Sequence, residues 1–386
     1  MEKRMYKNTN EAISLLGFGA MRLPQTAGGG SKDIDKARAQ EMIDYAFAQG
    51  VNYYDTAYMY HEGASELFLG EALSKYDRKS FNLASKMPLM FIKEEADVER
   101  IFNEQLKKLR VDYFDFYLLH NINKSHKIIA EKNKVYEFLR KKKEEGLIRH
   151  LGFSFHDQPE LLAEVVQKYD WDFTQIQLNY MDWDLQDAKA QHRILKDKGI
   201  PIVVMEPVRG GALATLCEKS IEIFKEADPA ASPASWALRY AASIPEVLTV
   251  LSGMSDISHV KDNIATIGNF KPITDADRKV IDTALAAYRT SATIPCTACR
   301  YCMDCPAGVD IPRVLAVYNN YRISTAKMEN PPKFFFDMQY SVLAEEKHAS
   351  HCVKCGQCAE KCPQHIDIPH WMEVIDTFDK DGKIIA

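Results

Sequence analysis

Residues 114–154 read FDFYLLHNINKSHKIIAEKNKVYEFLRKKKEEGLIRHLGFS. An apolar run, Phe114–Leu119, ends on His120. The window Lys134–Glu145, with apolar residues spaced by three and four, comes next and is closed by Gly146; a second apolar run, Ile148–Ser154, then begins. Short, predominantly apolar runs fit buried strands, and a helical window between two of them makes a unit whose strands pair in parallel. Gly146 stands where a helix ends in a left-handed residue, as do Gly50 after Ala37–Ala48 and Gly199 after Leu185–Lys198. The basic run Arg140-Lys141-Lys142-Lys143 is followed at once by Glu144 and Glu145 and reads as a solvated helix face.

Outward from this stretch the pattern repeats. Further strand candidates are Leu15–Phe18, Val51–Asp55, Phe81–Ser85, Phe173–Leu178, Ile202–Met205 and Val247–Leu251, with helical windows at Asp97–Lys108, Gln158–Tyr169 and Pro233–Ser243. Eight such units close into an α/β (β/α)8 TIM barrel. A doubly wound open sheet is the competing fold, and no strand here is followed by G-x-G-x-x-G. Gly28-Gly29-Gly30 reads as a loop rather than a phosphate cradle, since no strand leads into it. Arg209-Gly210-Gly211, just after the seventh strand, reads either as a ligand loop or as a plain turn.

The composition suits a globular chain: 46% hydrophobic, 27% charged, and a net charge of −5 from 49 basic and 54 acidic residues. A mildly acidic chain offers nothing general to nucleic acid or to an anionic membrane. No apolar stretch approaches the ~18 residues of a spanning helix, and MEKRMYKNTN has no apolar signal core, so a cytoplasmic protein is expected.

Beyond residue 290 the texture changes, and the expected division is a barrel domain, 1–290, and a small helical domain, 291–386. Of the 9 cysteines, Cys217 stands alone and reads as a buried apolar residue; the others fall in two groups. The second group, Cys352-Val-Lys-Cys355-Gly-Gln-Cys358-Ala-Glu-Lys-Cys362-Pro363, matches C-x2-C-x2-C-x3-C-P, the bacterial ferredoxin run whose fourth cysteine reaches the other cluster. By that logic Cys296, Cys299, Cys302 and Cys362 hold one 4Fe–4S cube, and Cys352, Cys355, Cys358 and Cys305 hold another. Zinc is the competing reading, but it does not require three cysteines in one short run with a fourth before proline. The first group has x2 before Cys305 instead of x3. Helical windows at Val314–Tyr321 and Phe335–Glu346 predict a helical variant of the ferredoxin module.

Active sites of such barrels lie where the strands end, which singles out Asp55, Tyr60, Lys86, His120, Ser154, Gln175 and Asn179. Taken singly, each is also an ordinary packing or surface residue. Together, Asp55-Thr-Ala-Tyr-Met-Tyr60, Ser85-Lys86, the stretch Leu106–His120, Gly152-Phe-Ser154 and Gln175-Ile-Gln-Leu-Asn179 resemble the aldo-keto reductase family over roughly residues 12–270.

The resemblance implies an NAD(P)H-dependent carbonyl reductase with a catalytic tetrad of Asp55, Tyr60, Lys86 and His120. Tyr60 is the implied general acid, its ordinary pKa of ~10 lowered by the Lys86 cation. Asp55 holds Lys86 in place, and His120 aligns the substrate oxygen. Ser154 and Gln175 are the implied grip on the nicotinamide amide. Met205 stands where an aromatic residue often stacks on the ring, and Phe155 where an asparagine is common, with His156 as its substitute. The loop Ser252–Asn263, with Gly253, Ser255, His259 and Asn263, is the implied seat of the adenosine end. Gly253 and His259 occupy positions where NADP-preferring members carry Lys and Arg, so NADH and NADPH both stay open.

A hydride carries two electrons whereas a cube passes one, so direct coupling needs a flavin or similar converter. No flavin fingerprint is present, although barrels bind flavin phosphate after strands seven and eight. Three arrangements follow: clusters exchanging electrons with a partner ferredoxin, clusters acting as structural staples, or a flavin in the barrel. The alternative to a carbonyl reductase is an iron–sulfur electron carrier or redox sensor on a non-catalytic or flavin-binding barrel. The expected substrate is a small-molecule carbonyl, met by loops that include Tyr58, Met59, Trp183 and the segment after Gly210.

Overall fold

The computed structural model describes residues 1–7, 9–289, 294–325 and 332–382. They form two compact units, Met1–Val208 with Ala234–Thr274, and Arg209–Pro233 with Asp275–Ala386. The boundary expected between residues 290 and 291 lies outside the described residues.

The first unit opens with an antiparallel hairpin, β1 (Lys3–Met5) and β2 (Ala12–Ser14). Eight further strands follow: β3 (Leu16–Gly19), β4 (Tyr53–Asp55), β5 (Asn82–Met87), β6 (Phe114–Ile122), β7 (Ile148–Phe155), β8 (Phe173–Gln177), β9 (Ile202–Met205) and β10 (Val247–Gly253). They pair in parallel in the order β10-β3-β4-β5-β6-β7-β8-β9 and close into a barrel. These are the eight apolar runs of the sequence, with ends displaced by a few residues. The glycines foreseen as helix ends, Gly50, Gly146 and Gly199, take φ of 87°, 81° and 64°. Gly28–Gly30 forms an exposed turn in which the Gly29 amide donates to the Thr26 carbonyl at 2.9 Å.

The hairpin was not foreseen, because two three-residue strands are too short for an alternating pattern to register. It plugs the end at which the barrel strands begin. Tyr6, just after β1, is buried with Ile13, Tyr53, Phe116, Phe173 and Leu248 in one apolar cluster, its ring 5.8 Å from Phe116 and edge-on. Its hydroxyl donates to the Asp172 carbonyl at 2.9 Å. Near the same end, the buried Asp115 of β6 accepts from Arg78 at 2.6 Å, Arg149 at 3.0 Å and the Leu83 amide at 2.9 Å, tying β5, β6 and β7 together. With this end packed, the opposite end carries the polar residues.

In the second unit, helices Glu218–Ala227, Asp275–Arg289, Ile311–Thr325, Phe334–Tyr340 and Ile368–Asp381 dominate. Two of them contain or overlap the windows foreseen between the cysteine groups. The core includes Val314, Tyr318, Tyr321, Phe336, Ile375 and Phe378, and six of the cysteines pack on its edge or within it. Cys217 is buried at the start of Glu218–Ala227, its sulfur 3.1 Å from the Ser220 hydroxyl, as a small structural residue.

Truncating the plug should cost what a large aromatic in a packed interior costs. Tyr6→Ala is expected to lower unfolding free energy by about 3–5 kcal/mol, and Tyr6→Phe, which loses only the bond to Asp172, by about 1 kcal/mol. Urea denaturation of the two variants checks the difference.

Candidate active site and cysteine centre

Asp55 closes β4 and Lys86 lies near the end of β5. The parallel register that pairs Asp55 with Ala84 makes them neighbours across the two strands. Lys86 Nζ donates to Asp55 Oδ1 at 2.6 Å and to the Thr56 carbonyl at 2.7 Å. Lys86 is 0% exposed and Asp55 3%. Burial pushes the lysine pKa below its ordinary value and the aspartate pKa above its own, and the contact between them opposes both shifts. Nζ also lies 4.9 Å from the centroid of the Tyr60 ring.

Tyr60 opens a tight turn, Tyr60–Gly63, in which His61 and Glu62 take left-handed φ of 52° and 53°. His61, absent from the sequence reading, holds this turn. Its Nε2 accepts from the Leu23 amide at 3.1 Å while its Nδ1 donates to the Ser31 carbonyl at 2.6 Å. Burial keeps its pKa below the usual histidine value, in accord with one nitrogen accepting and the other donating.

His120, at the far end of β6, presents its ring edge-on to Tyr60, centroids 5.9 Å apart at 82°. Burial, then Lys86, then His156 and His126 hold its pKa well below 6.5, so the imidazole is neutral near pH 7. Asp55, Tyr60, Lys86 and His120 thus come together at one end of the barrel.

A buried polar cluster lies behind Lys86. Ser85 donates to Glu66 Oε1 at 2.7 Å. Gln105 Nε2 donates to the same oxygen at 2.5 Å and to the Lys86 carbonyl at 3.0 Å, while Tyr117 donates to Gln105 Oε1. Burial raises the Glu66 pKa. The available signal for this group was a carboxylate on the apolar face of Ala64–Leu73, a helix otherwise packed by Phe68, Leu69 and Leu73.

Ser154 and Gln175 sit side by side in the β7/β8 register. Ser154 Oγ accepts from the Asn121 amide at 2.7 Å. Asn121 lies within the β6/β7 register shift between Leu119 and Ile122, with φ of 58°. Bulges next to sites of this kind re-aim a side chain. Gln175 Oε1 and Asn121 Oδ1 are both buried with no hydrogen-bond partner, and Gln175 Nε2 meets the Met205 sulfur at 3.6 Å.

On the β10 side, Asn263 Nδ2 donates to Ser252 Oγ at 2.8 Å. Ser255 Oγ donates to the Arg22 carbonyl at 2.7 Å, and the Ser255 amide donates to His259 Nδ1 at 3.4 Å. A Cβ on Gly253 would lie 3.2 Å from Arg22 Cδ. Arg22 pairs with Glu206 at 3.6 Å and Arg38 with Asp256 at 2.9 Å. These two cations beside the loop were not foreseen, because Arg22 and Arg38 are more than 200 residues away in sequence.

In the second unit, Cys296, Cys299, Cys302 and Cys362 line one hollow with Thr297, Arg300 and Gln364. Cys305, Cys352, Cys355 and Cys358 line another, with Cys302 also reaching its wall. Burial raises the Cys302 thiol pKa, helped by Cys299, Cys296 and Cys362. Burial pushes Cys358 up to about 11, with further contributions from Cys352 and Cys305. The loop Arg209-Gly210-Gly211 packs here. Gly210 has φ of 64°, and a Cβ on it would lie 2.0 Å from the Thr297 carbonyl oxygen.

The model of the aldo/keto reductase family matches residues 15–286. This chain belongs to the aldo/keto reductase family. A second model, for a 4Fe–4S dicluster domain, matches residues 295–366. L-galactose dehydrogenase of Arabidopsis thaliana is 26% identical over 292 residues, 69% of this chain and 88% of that one. The NADH-specific methylglyoxal reductase of Escherichia coli is 24% identical over 325 residues, 72% of this chain and 96% of its own length. Among solved structures, the holo form of an aldo-keto reductase from Bacillus halodurans superposes with a TM-score of 0.61 at 26% identity, covering 74% of this chain and 96% of that one.

As an aldo/keto reductase the chain is an oxidoreductase, and it carries a 4Fe–4S domain. In this aldo/keto reductase the neutral His120 has a consequence for stability. Its folded pKa lies below 6.5, so between the two values the unfolded chain binds more protons and stability falls as pH falls. One such proton contributes a slope of up to about 1.4 kcal/mol per pH unit. His120→Gln is therefore expected to lose stability less steeply than the parent below pH 6.5, as measured by denaturation midpoints at a series of pH values.

Proposed function

We propose that this chain reduces a small-molecule carbonyl to an alcohol with NADH or NADPH, with Tyr60 as general acid, and that its eight clustered cysteines hold two 4Fe–4S clusters. The observation that carries the first part is the buried Lys86 ammonium, held by Asp55 at 2.6 Å and placed 4.9 Å from the Tyr60 ring centroid. A cation in that position stabilises the phenolate left when Tyr60 gives its proton to the alkoxide oxygen. The neutral His120 donates a hydrogen bond to that oxygen and aligns it.

Bound reduced nicotinamide supplies the hydride. The residues present fit its carboxamide: Gln175 Oε1 and Asn121 Oδ1 are buried acceptors without donors, suited to an NH2 group. Ser154 Oγ already accepts from Asn121 N, which leaves its hydrogen free to go to the amide carbonyl. Ser252–Asn263, with Gly253, Ser255, His259 and Asn263, would hold the adenosine end, and Met205 would flank the ring.

For the clusters, each hollow offers at least four thiols, and four are the donor set a cube takes, Cys302 being shared between the two linings. The proposed ligands are Cys296, Cys299, Cys302 and Cys362 for the first, and Cys305, Cys352, Cys355 and Cys358 for the second. The matches at 15–286 and 295–366 support reading residues 1–290 as the reductase barrel and 291–386 as the iron–sulfur module. A one-electron partner of the ferredoxin class would exchange electrons with the clusters. Among the described residues no helix is long and apolar enough to cross a membrane. We place the protein in the cytoplasm, whose reducing poise keeps thiols available for iron.

Tyr60→Phe should reduce turnover of a test aldehyde with NAD(P)H by at least 10²-fold while leaving cluster absorbance unchanged; undiminished turnover would remove Tyr60 from its role. His259→Arg should tighten NADPH binding about tenfold, equivalent to ~1.4 kcal/mol, and leave NADH binding unchanged in a fluorescence titration.

A further inference from the structure

The turn at Arg209 is built against one of the two cysteine hollows. Arg209 is 2% exposed with φ of 50°, so a charged residue is both buried and held in a left-handed conformation. Its Nη2 donates to Gln364 Oε1 at 3.1 Å. Gln364 lines the hollow of Cys296, Cys299, Cys302 and Cys362 and lies two residues beyond Cys362. The next residue, Gly210, is pressed against the carbonyl of Thr297, which follows Cys296 in the chain and lines the same hollow. The turn therefore touches both segments that supply thiols to this hollow. The charged residue in that lining is Arg300, half exposed and 4.0 Å from Asp310, so solvent screens it. The lining of the other hollow includes Asp304, itself paired with Lys361 at the surface, and Cys355 there is exposed.

We propose that Arg209 sets the reduction potential of the cluster held by Cys296, Cys299, Cys302 and Cys362. This rests on the two-cluster reading above. A cube bound by four thiolates is an anion that gains one negative charge when it takes up one electron. Burial penalises the added charge, and a buried guanidinium bonded to a residue of the hollow's lining compensates for it across a short low-dielectric path. A guanidinium keeps its charge in both oxidation states of the cluster. It therefore favours the reduced cluster and raises its potential. The fixed, packed turn holds that charge at a constant distance, which a long surface lysine would not do. The bond to Gln364 and the contact at Thr297 are the means of positioning, so Arg209 acts on the electron equilibrium without being a ligand.

The test is a potentiometric titration of anaerobically purified full-length protein, followed by electron paramagnetic resonance, with iron and sulfide counted in each sample. The parent should show two cluster signals. Cys355→Ser, at the exposed ligand, identifies the signal of the other cluster. Arg209→Gln should then lower the midpoint of the remaining signal by about 59 mV, a tenfold change in the ratio of reduced to oxidised cluster for one electron. The midpoint of the signal altered by Cys355→Ser should stay where it was. Arg209→Lys, which keeps the charge, should recover most of the shift. The proposal is overturned if neither midpoint moves, if both move together, or if the signal that moves is the one altered by Cys355→Ser. If Arg209→Gln loses iron, Arg209→Lys decides: iron retained at the parental midpoint supports a charge effect, and iron lost in both variants means a structural role only. About four irons per chain in the parent, in place of about eight, would instead fail the two-cluster reading itself.

Discussion

An ammonium withdrawn completely from water, that of Lys86, imposes most of the geometry at the open end of the barrel. It is tolerable there because Asp55 and the Thr56 carbonyl meet it directly. Removing one partner of such a buried pair typically costs 3–5 kcal/mol, since the remaining charge is left without compensation. The pair in turn requires β4 and β5 to run side by side in one register, which barrel closure enforces. Gln105 bonds the carbonyl of Lys86 itself, so the helix Glu95–Leu109 fixes the lysine backbone from behind while Asp55 fixes its charge. Tyr60 then needs only to be brought to the ammonium, and the strained His61–Glu62 turn does this.

The two units solve the problem of stability differently. The barrel excludes water with a large apolar interior and packs its lower end with Tyr6 and the N-terminal hairpin. The second unit has a smaller helical core, with cysteines along its edge. In a domain of this kind metal–thiolate bonds contribute to folding, so a stapling role and an electron-carrying role do not exclude each other. The electron counts set a separate constraint: hydride chemistry moves electrons in pairs, whereas an iron–sulfur cube moves them singly. A chain that holds both offers two kinds of redox chemistry.

The cofactor side of the site shows how a family pattern can change while its physical requirements persist. Phe155 removes an amide that the pattern expects, while the bulge at Asn121 brings that residue's backbone N–H onto Ser154 and leaves its side-chain Oδ1 buried without a donor. Gly253 lacks the expected cation, yet the Arg22 side chain lies over it. In each case the need for a polar or charged group is local in space, and the residue that stands there comes from a different segment.

The succession of apolar runs and helical windows determined the barrel, because strands packed on the barrel interior on one side and under helices on the other are predominantly apolar along their length. Asp55, Tyr60, Lys86 and His120 were legible for a related reason: each lies at or just beyond a strand end, where position in sequence implies position in the fold. The cysteine grouping was legible because three of the four cysteines assigned to each hollow lie within seven residues of one another, while the fourth comes from the other group. Only the tertiary structure decided the rest. The hairpin plug, the Glu66–Gln105 cluster, the bulge at Asn121, the Arg22 cover and the packing of Arg209 against Gln364 all join residues far apart in sequence. Periodicity records which way a side chain faces, whereas these contacts depend on which distant segment closure of the barrel or packing of the helices brings to meet it.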